Sequence, residues 1–458
     1  MNNFYLVLKT LFVGLYALLT AFRPIVGGGD FEPSAPVEPG DTSKYIRAVA
    51  VDTGREIYKP REQGGYHYGP SMILNTDGSL DVWCATDGPG DVADYVDYFR
   101  LYDGGTRHSA EKIVLKPTGG GWDNLSTCDP GVIKFGGYYY IGYTTTLDKR
   151  GVDNDICVAR SKNPDGPFEK WTGNGWGAEP APFIEYTDDP DYWGAGEPSF
   201  VLMGDELYIY YSWNTSTTST RLAVADATDE NWPATLEYKG TAIPDKKGGD
   251  SADVKYLDEY GRFIAVFTEK RFSPDSYVAV WESFDGLNFR PSDIIKANTA
   301  KNLHNCGISG RADGHIGVGD PVCLGYAYGV WGGVGWPTQL HELRLSLADE
   351  PMTDDSAEEN IEMKITTRPS RVIPECLTVK AEKQAYTISK PTQLWVMAFD
   401  SDGYVYPVLL GTRFYGYDES VIRIVGGRMY PVGEGSTRVF LNWHGITADC
   451  LVNVVSGD

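Results

Sequence analysis

The sequence predicts an all-β protein, on three observations. First, one phrase recurs at intervals of roughly 55 to 70 residues: a short β-rich run, a tight turn and a Tyr-rich run. It reads YGPSMILNTDGSLDVWCA from Tyr68, CDPGVIKFGGYYYIGYT from Cys128, GEPSFVLMGDELYIYYSW from Gly196 and SADVKYLDEYGRFIAVF from Ser251, with a weaker copy, HNCGISGRADGHI, from His304. Second, aromatic residues make up 13% of the chain, a load that suits sheet faces and sugar pockets alike. Third, from about Lys364 onward short strands follow at close intervals: CLTVKA, QLWVMAFD, VIRIVGGRMYPV and TRVFLNWHG.

A period of this size with several short strands per unit is the signature of a β-propeller, and five copies make five blades. The fold class is therefore all-β, a five-bladed β-propeller over 44–350 followed by a small immunoglobulin-like β-sandwich over 364–458. Residues 1–25 read as a signal peptide or N-terminal anchor, with Lys9 ahead of the apolar run LFVGLYALLTAF, which is short for a membrane span. Residues 26–43, rich in Gly and Pro, read as a linker, and 351–363 as an acidic one. This order places the protein outside the cytoplasm: periplasmic, cell-surface or extracellular.

In the second blade Gly131 to Phe135 forms the inner strand, Gly136-Gly137 a hairpin turn, Tyr138 to Thr144 the second strand and Asp155 to Ser161 the third. FEKW opens the fourth. The third blade repeats the plan with Ser199 to Leu202, Glu206 to Trp213 and Thr220 to Ala225; in the fourth, Tyr277 to Ser283 precedes an Asp-Gly turn. The fifth blade is one strand short, and the strand Lys44 to Asp52 is expected to pair there and close the ring, since an open edge invites aggregation.

A net charge of -23 argues against nucleic acid and anionic membrane surfaces and favours neutral or metal-bridged ligands. The protein is expected to be a monomer that takes a carbohydrate substrate. Seven cysteines with no CxxC spacing indicate neither a zinc site nor a disulfide framework. One bridge, Cys376 to Cys450, is compatible with an oxidising compartment.

Three copies open with an acid: Asp129, Glu197 and Asp253. The first strand of a blade lines the axis, so these carboxylates are expected to share one pocket. Pro130 and Pro198 hold Asp129 and Glu197 extended at the strand mouth; Asp253 lacks the Pro but takes the same place in its repeat. Acids sharing a cavity raise one another's pKa values, which is what acid/base hydrolysis of a glycosidic bond needs.

The repeated openings, the aromatic second strands and the ARSKNPDGPFEKW segment resemble five-bladed glycoside hydrolases of family 43 and its relatives. The resemblance covers roughly residues 60 to 345. It implies an inverting hydrolysis of plant or host glycans that requires no cofactor. The segment His304-Asn305 is similar to one whose His holds a central calcium or its waters, which implies a structural metal at the axis with His304. This chain departs from the family in its first phrase, which has Tyr68-Gly69-Pro70 and no acid. By residue type, Glu197 is expected to be the general acid, Asp129 the general base and Asp253 a tuning or substrate-binding acid, with geometry free to exchange the last two. The alternative is a non-catalytic glycan-binding surface protein on the same scaffold.

His67 is a candidate to bind a sugar hydroxyl or stand in for the missing acid. Trp122, Asp123 and Trp193 are candidates for the substrate-binding rim, the two Trp as sugar platforms. The acids Asp148, Asp153 and Asp155 lie on one loop but lack the spacing of a calcium loop. SFDGLNF resembles the Asp-box turn of sialidases, yet the arginines such enzymes need are scarce near these strands. The stretch Val421 to Asn442 resembles bacterial immunoglobulin-like (group 2) domains, which space or attach.

Overall fold

The computed structural model describes residues 40–58, 65–87, 94–146, 151–246, 252–329 and 335–353, and in the C-terminal region 374–380, 386–387, 392–393, 395–400, 405–407, 412–425, 428–443 and 446–455. The expected leader, most of the 26–43 linker and most of the acidic linker fall outside these residues. Among the described residues no helix is long and apolar enough to cross a membrane. Apart from two 3₁₀ turns, Asp103–Gly105 and Trp232–Thr235, the described elements are β-strands.

Five sheets, antiparallel except where His315–Ile316 pairs in parallel with Asp253–Leu257, fill the N-terminal part, each opening with one of the repeated phrases. Their inner strands are His67–Leu74, Ser126–Phe135, Gly194–Met203, Asp253–Leu257 and Leu303–Ile308. Each sheet shares an apolar cluster with the next. Ile73 and Trp83 meet Val132 and Ile141; Ile133 and Ile156 meet Phe200 and Trp213; Val201 and Tyr210 meet Val254 and Phe263. Leu257 and Ile264 meet Ile308 and Tyr326, and Leu340 on the fifth sheet returns to Met72 and Val82 on the first. The cores thus run in a closed cycle. Strands Asp155–Ser161 and Tyr277–Ser283 keep the limits read from their turn signals.

Tyr45–Ala50 pairs antiparallel with Thr338–Ala348 and supplies the outermost strand of the fifth sheet. Its seam to the fourth sheet is sealed by buried acids: the Ile46 amide donates to Glu282 (2.9 Å) and the Ala48 amide to Asp293 (2.7 Å). The pairing expected for Lys44 to Asp52 is the one observed.

The weakness of the fifth repeat has a structural cause. After Leu303–Ile308 the chain does not turn straight into a second strand but crosses the bottom of the ring. Its carbonyls accept the amides of the other inner strands in succession: Gly310 from Leu74 (2.7 Å), Ala312 from Lys134 (2.7 Å), Asp313 from Leu202 (2.9 Å), Gly314 from Tyr256 (3.0 Å) and Ile316 from Asp258 (3.0 Å). The buried His315 ring joins Asp258 and the Leu202 carbonyl, each at 2.8 Å. Four sheets are therefore tied to a floor that the fifth provides.

In the C-terminal region the described strands form three further sheets, one built on the hairpin Gly435–Trp443 and Ile446–Val455, around Val421, Ile422, Met429, Val439, Val452 and Val454. Cys450 carries a free thiol, which removes the bridge to Cys376.

Gly314 sits at φ +83°, and a Cβ there would lie 2.6 Å from the Phe200 carbonyl oxygen, whereas Gly319 at φ +75° has nothing within 4 Å. Gly314→Ala is expected to lower the unfolding free energy by about 3 kcal/mol and Gly319→Ala by about 1 kcal/mol, measured by urea titration. Equal losses would show that the floor is not close-packed.

Candidate active site

The inner strands touch at their upper halves through five junctions of two kinds. In three, a side chain bridges to the next strand. Ser71 accepts the Val132 amide (2.9 Å), Ser199 the Val254 amide (2.9 Å) and Asp253 the Ile308 amide (2.8 Å). In the other two there is no room for a side chain: a Cβ on Gly131 would lie 1.8 Å from the Pro198 carbonyl, and one on Gly307 2.0 Å from that of Pro70. Ser71, Gly131, Ser199, Asp253 and Gly307 are thus equivalent positions.

Two residues earlier stand Gly69, Asp129, Glu197 and Asn305, and each opens a β-bulge in its strand. All four have left-handed backbones, at φ 61°, 47°, 54° and 37°. A bulge re-aims one side chain out of the alternating pattern, and here it turns Asp129, Glu197 and Asn305 onto a common cavity of about 30 Å³. The expectation that Pro130 and Pro198 keep the preceding acids extended is corrected: both acids occupy the left-handed region instead. Each such non-glycine residue costs on the order of 1 kcal/mol, a strain typical of functional positions.

The Asn305 amide nitrogen lies 3.4 Å from Asp129 Oδ1 and 3.2 Å from Glu197 Oε1. One donor therefore spans both carboxylates, whose oxygens can be no further apart than the sum of those distances. The Glu197 amide donates to Thr144 Oγ1 (2.9 Å), fixing the bulge to the second sheet. A Cβ on Gly196 would lie 2.5 Å from Trp193 Cη2, so the Trp193 ring lies against the residue next to Glu197.

Asp253 also lines the cavity, but not at the place expected. It stands two residues further along, in the position of the bridging serines. It accepts the Ser199 hydroxyl (2.8 Å) as well as the Ile308 amide, and pairs with the buried Lys255 ammonium. Its equivalence to Asp129 and Glu197 is therefore corrected. Both of its oxygens are engaged in closing the ring.

A further acid lies where no repeat marks it. Asp94 is held by the Tyr66 hydroxyl (2.6 Å) and the Ser126 hydroxyl (3.0 Å), and burial pushes its carboxyl toward the protonated form. Tyr68 also bonds it, and that phenol feels both Asp94 and Asp129. Burial raises Tyr68 well above the ordinary phenol range, so it remains protonated. Asn305 was legible in the fifth phrase, one place after His304; Asp94 had no comparable signal.

Other candidates fall away from the cavity. His67 is 0% exposed, stacked on Tyr58 at 3.4 Å between ring centres and in contact with Asp97, so no sugar reaches it. Asp123 is buried, pairs with Lys170 and accepts the Thr118 amide (2.8 Å) and the Tyr143 hydroxyl (3.2 Å). It braces a loop and does not present itself to substrate. Trp122 beside it is 38% exposed. Asp148 lies outside the described residues, and Asp155 is buried and accepts the Tyr186 amide (2.7 Å).

His304 does not line the cavity. Its ring is enclosed by Tyr68, Phe272 and Trp336, at 5.0, 4.5 and 4.6 Å between centres. Calcium requires six to eight oxygen ligands. Here the point between the two carboxylates is taken by an amide N–H₂ group, and the imidazole is turned into an aromatic cage. The residues present do not fit a calcium at the axis.

No protein-family model matches the chain, and no curated protein matches it. Among solved structures it is similar to Zg3597, a family 117 glycoside hydrolase of the marine bacterium Zobellia galactanivorans, at 13% identity over 65% of this chain and 90% of that one (TM-score 0.45). It is also similar to the α-L-arabinofuranosidase PaAbf62A of Podospora anserina, at 12% identity over 68% and 98% (TM-score 0.46). With sucrose-6-phosphate hydrolase of Lactobacillus gasseri it shares 9% identity over 89% of each chain (TM-score 0.48).

Burial pushes the Asp155 carboxyl from 3.8 up to about 6. A raised acid favours the folded state below its unfolded value, and that stability is lost as pH rises through the folded value. Asp155→Asn is therefore expected to remove a decline in stability between pH 3.8 and about 6, read from thermal unfolding across that range. An unchanged profile would show that Asp155 titrates as an ordinary surface acid.

Proposed function

We propose that the chain is a glycoside hydrolase acting on plant or host glycans, with the ring of five sheets serving as a five-bladed propeller and the C-terminal sheets as an immunoglobulin-like spacer. The observation that carries this reading is the pair of strained bulges that turn Asp129 and Glu197 onto one cavity. Neither bulge is needed to close the ring, because the junctions two residues later do that.

In this reading Glu197, longer by one methylene and next to Trp193, protonates the leaving oxygen of a sugar stacked over the mouth. Asp129 activates a water. A cavity of about 30 Å³ admits such a water and excludes a sugar ring, so the sugar lies above the carboxylates. Inverting enzymes place their carboxyls about 6.5–9.5 Å apart and retaining ones about 5–5.5 Å apart. The limit set by Asn305 on these two oxygens just reaches the lower end of the inverting range and also covers the retaining one, so the anomer of the first product decides between them. Asp94, which burial pushes toward its neutral form, and Asp129 both act on the Tyr68 phenol, and in this reading Asp129 alone is the base. Asp253, neutralised by Lys255, positions the inner strands. Export fits a polymeric substrate.

The engagement of Asp253 by Lys255 favours the second reading, a glycan-binding surface protein without catalysis. Sugar release from arabinan, xylan, galactan and mannan separates the two. The enzyme reading expects release from one of them and a loss of at least about 100-fold in Glu197→Gln, as removal of an acid catalyst produces. Proton NMR of the first product is expected to show the inverted anomer. Release unchanged in Glu197→Gln would remove that residue from the mechanism, and binding without any release would leave the second reading.

A further inference from the structure

Behind the cavity, between the first and fifth sheets, lies a group of side chains that the proposed hydrolysis does not use. In the first sheet His67 faces Thr86, and Cys84 faces Asp97 across the neighbouring pair of strands. Side chains alternate along a strand, so Cys84 and Thr86 share a face. Register alone thus gathers His67, Cys84 and Asp97 from three strands. One ligand atom from each lies within 4.8 Å of the others, and the three residues are 0%, 0% and 2% exposed.

The contacts inside this group are not those of an ordinary ion pair. His67 Nε2 is 2.6 Å from Asp97 Oδ2, yet neither ring nitrogen makes a hydrogen bond of acceptable geometry. Asp97 Oδ1 is buried without a partner as well. The Cys84 sulfur is the third potential ligand atom within reach of both. Buried carboxylate and imidazole groups are normally hydrogen-bonded, and leaving them otherwise costs free energy.

We propose that His67, Cys84 and Asp97 bind a zinc ion that pins the three long strands of the first sheet. One imidazole nitrogen, one thiolate and one carboxylate form a donor set of the kind zinc takes, whereas calcium and magnesium take oxygen alone. A dication also neutralises the thiolate and carboxylate that this dry interior would otherwise disfavour. Tyr58, stacked on the imidazole, and Phe99, 5.8 Å from it between ring centres, pack against the site, and the three protein ligands leave zinc's fourth tetrahedral position to a buried water. None of the three ligands lines the central cavity, so this site is separate from the one proposed for hydrolysis.

The full chain, purified and dialysed, is expected to carry about one zinc per chain by elemental analysis. The Glu197→Gln variant should keep it, and Cys84→Ser and Asp97→Asn should lose it. Stripping with a chelator should lower Tm, and added zinc should restore it. Should the ligand variants fail to fold, cobalt added to the stripped wild-type protein decides the matter. A thiolate-to-cobalt charge-transfer band identifies Cys84 as a ligand; no cobalt binding, or binding without that band, overturns the proposal. Loss of metal in Glu197→Gln would also overturn it, by placing the ion in the central cavity.

Discussion

The ring depends on a run of backbone hydrogen bonds at its floor. Carbonyls of Gly310, Ala312, Asp313, Gly314 and Ile316 take up amides at the lower ends of four inner strands that would otherwise point into an empty channel. Buried amides must be paired, so a ring of sheets with an open centre would leave one unpaired amide per strand at some depth. One connection, running between two strands of the fifth sheet and lending His315–Ile316 to the fourth, meets that demand for the other four. It also turns a channel into a pocket closed at one end.

Above this floor the inner strands approach one another closely enough that two junctions admit only glycine, Gly131 and Gly307. At those two junctions no side chain can enter the seam. The bulges at Asp129, Glu197 and Asn305 are the way round that constraint. Each lifts one residue out of the ladder and turns it inward, at the cost of a left-handed backbone. Asn305 then holds both acids from one nitrogen. Rigidity below and strain above are parts of one arrangement, in which the scaffold over-determines a conformation the residues themselves disfavour.

Much of this was legible in the chain. Repeated phrases located every inner strand, and the turn signals bounded Asp155–Ser161 and Tyr277–Ser283. Asp129 and Glu197 could be paired because each precedes a Pro in the same phrase. Asp253 was misaligned because the fourth phrase has no Pro, and an acid was taken as the anchor. The true anchor is the residue that closes each junction, whose chemistry varies from Ser to Gly to Asp. His67 was misread because a histidine at a strand start looks the same whether it faces solvent or a neighbouring sheet. Asp94 lies outside the repeat altogether, and only the fold brings it to Tyr66, Tyr68 and Ser126. The floor was hidden for a similar reason: RADGHI carries no strand pattern, because its partners are the ends of four other strands.

If Asp129 is kept at its bulge for chemistry and not for folding, its removal should not weaken the fold. The most direct measurement is the urea unfolding free energy of Asp129→Gly against the wild-type protein at neutral pH. Glycine accepts φ 47° without strain, and that relief of at least about 1 kcal/mol meets or exceeds the added chain entropy of glycine, so the variant is expected to be at least as stable as the wild type. A variant less stable than the wild type would mean that the carboxylate holds the ring together, and the account of a strained catalytic pair would fail.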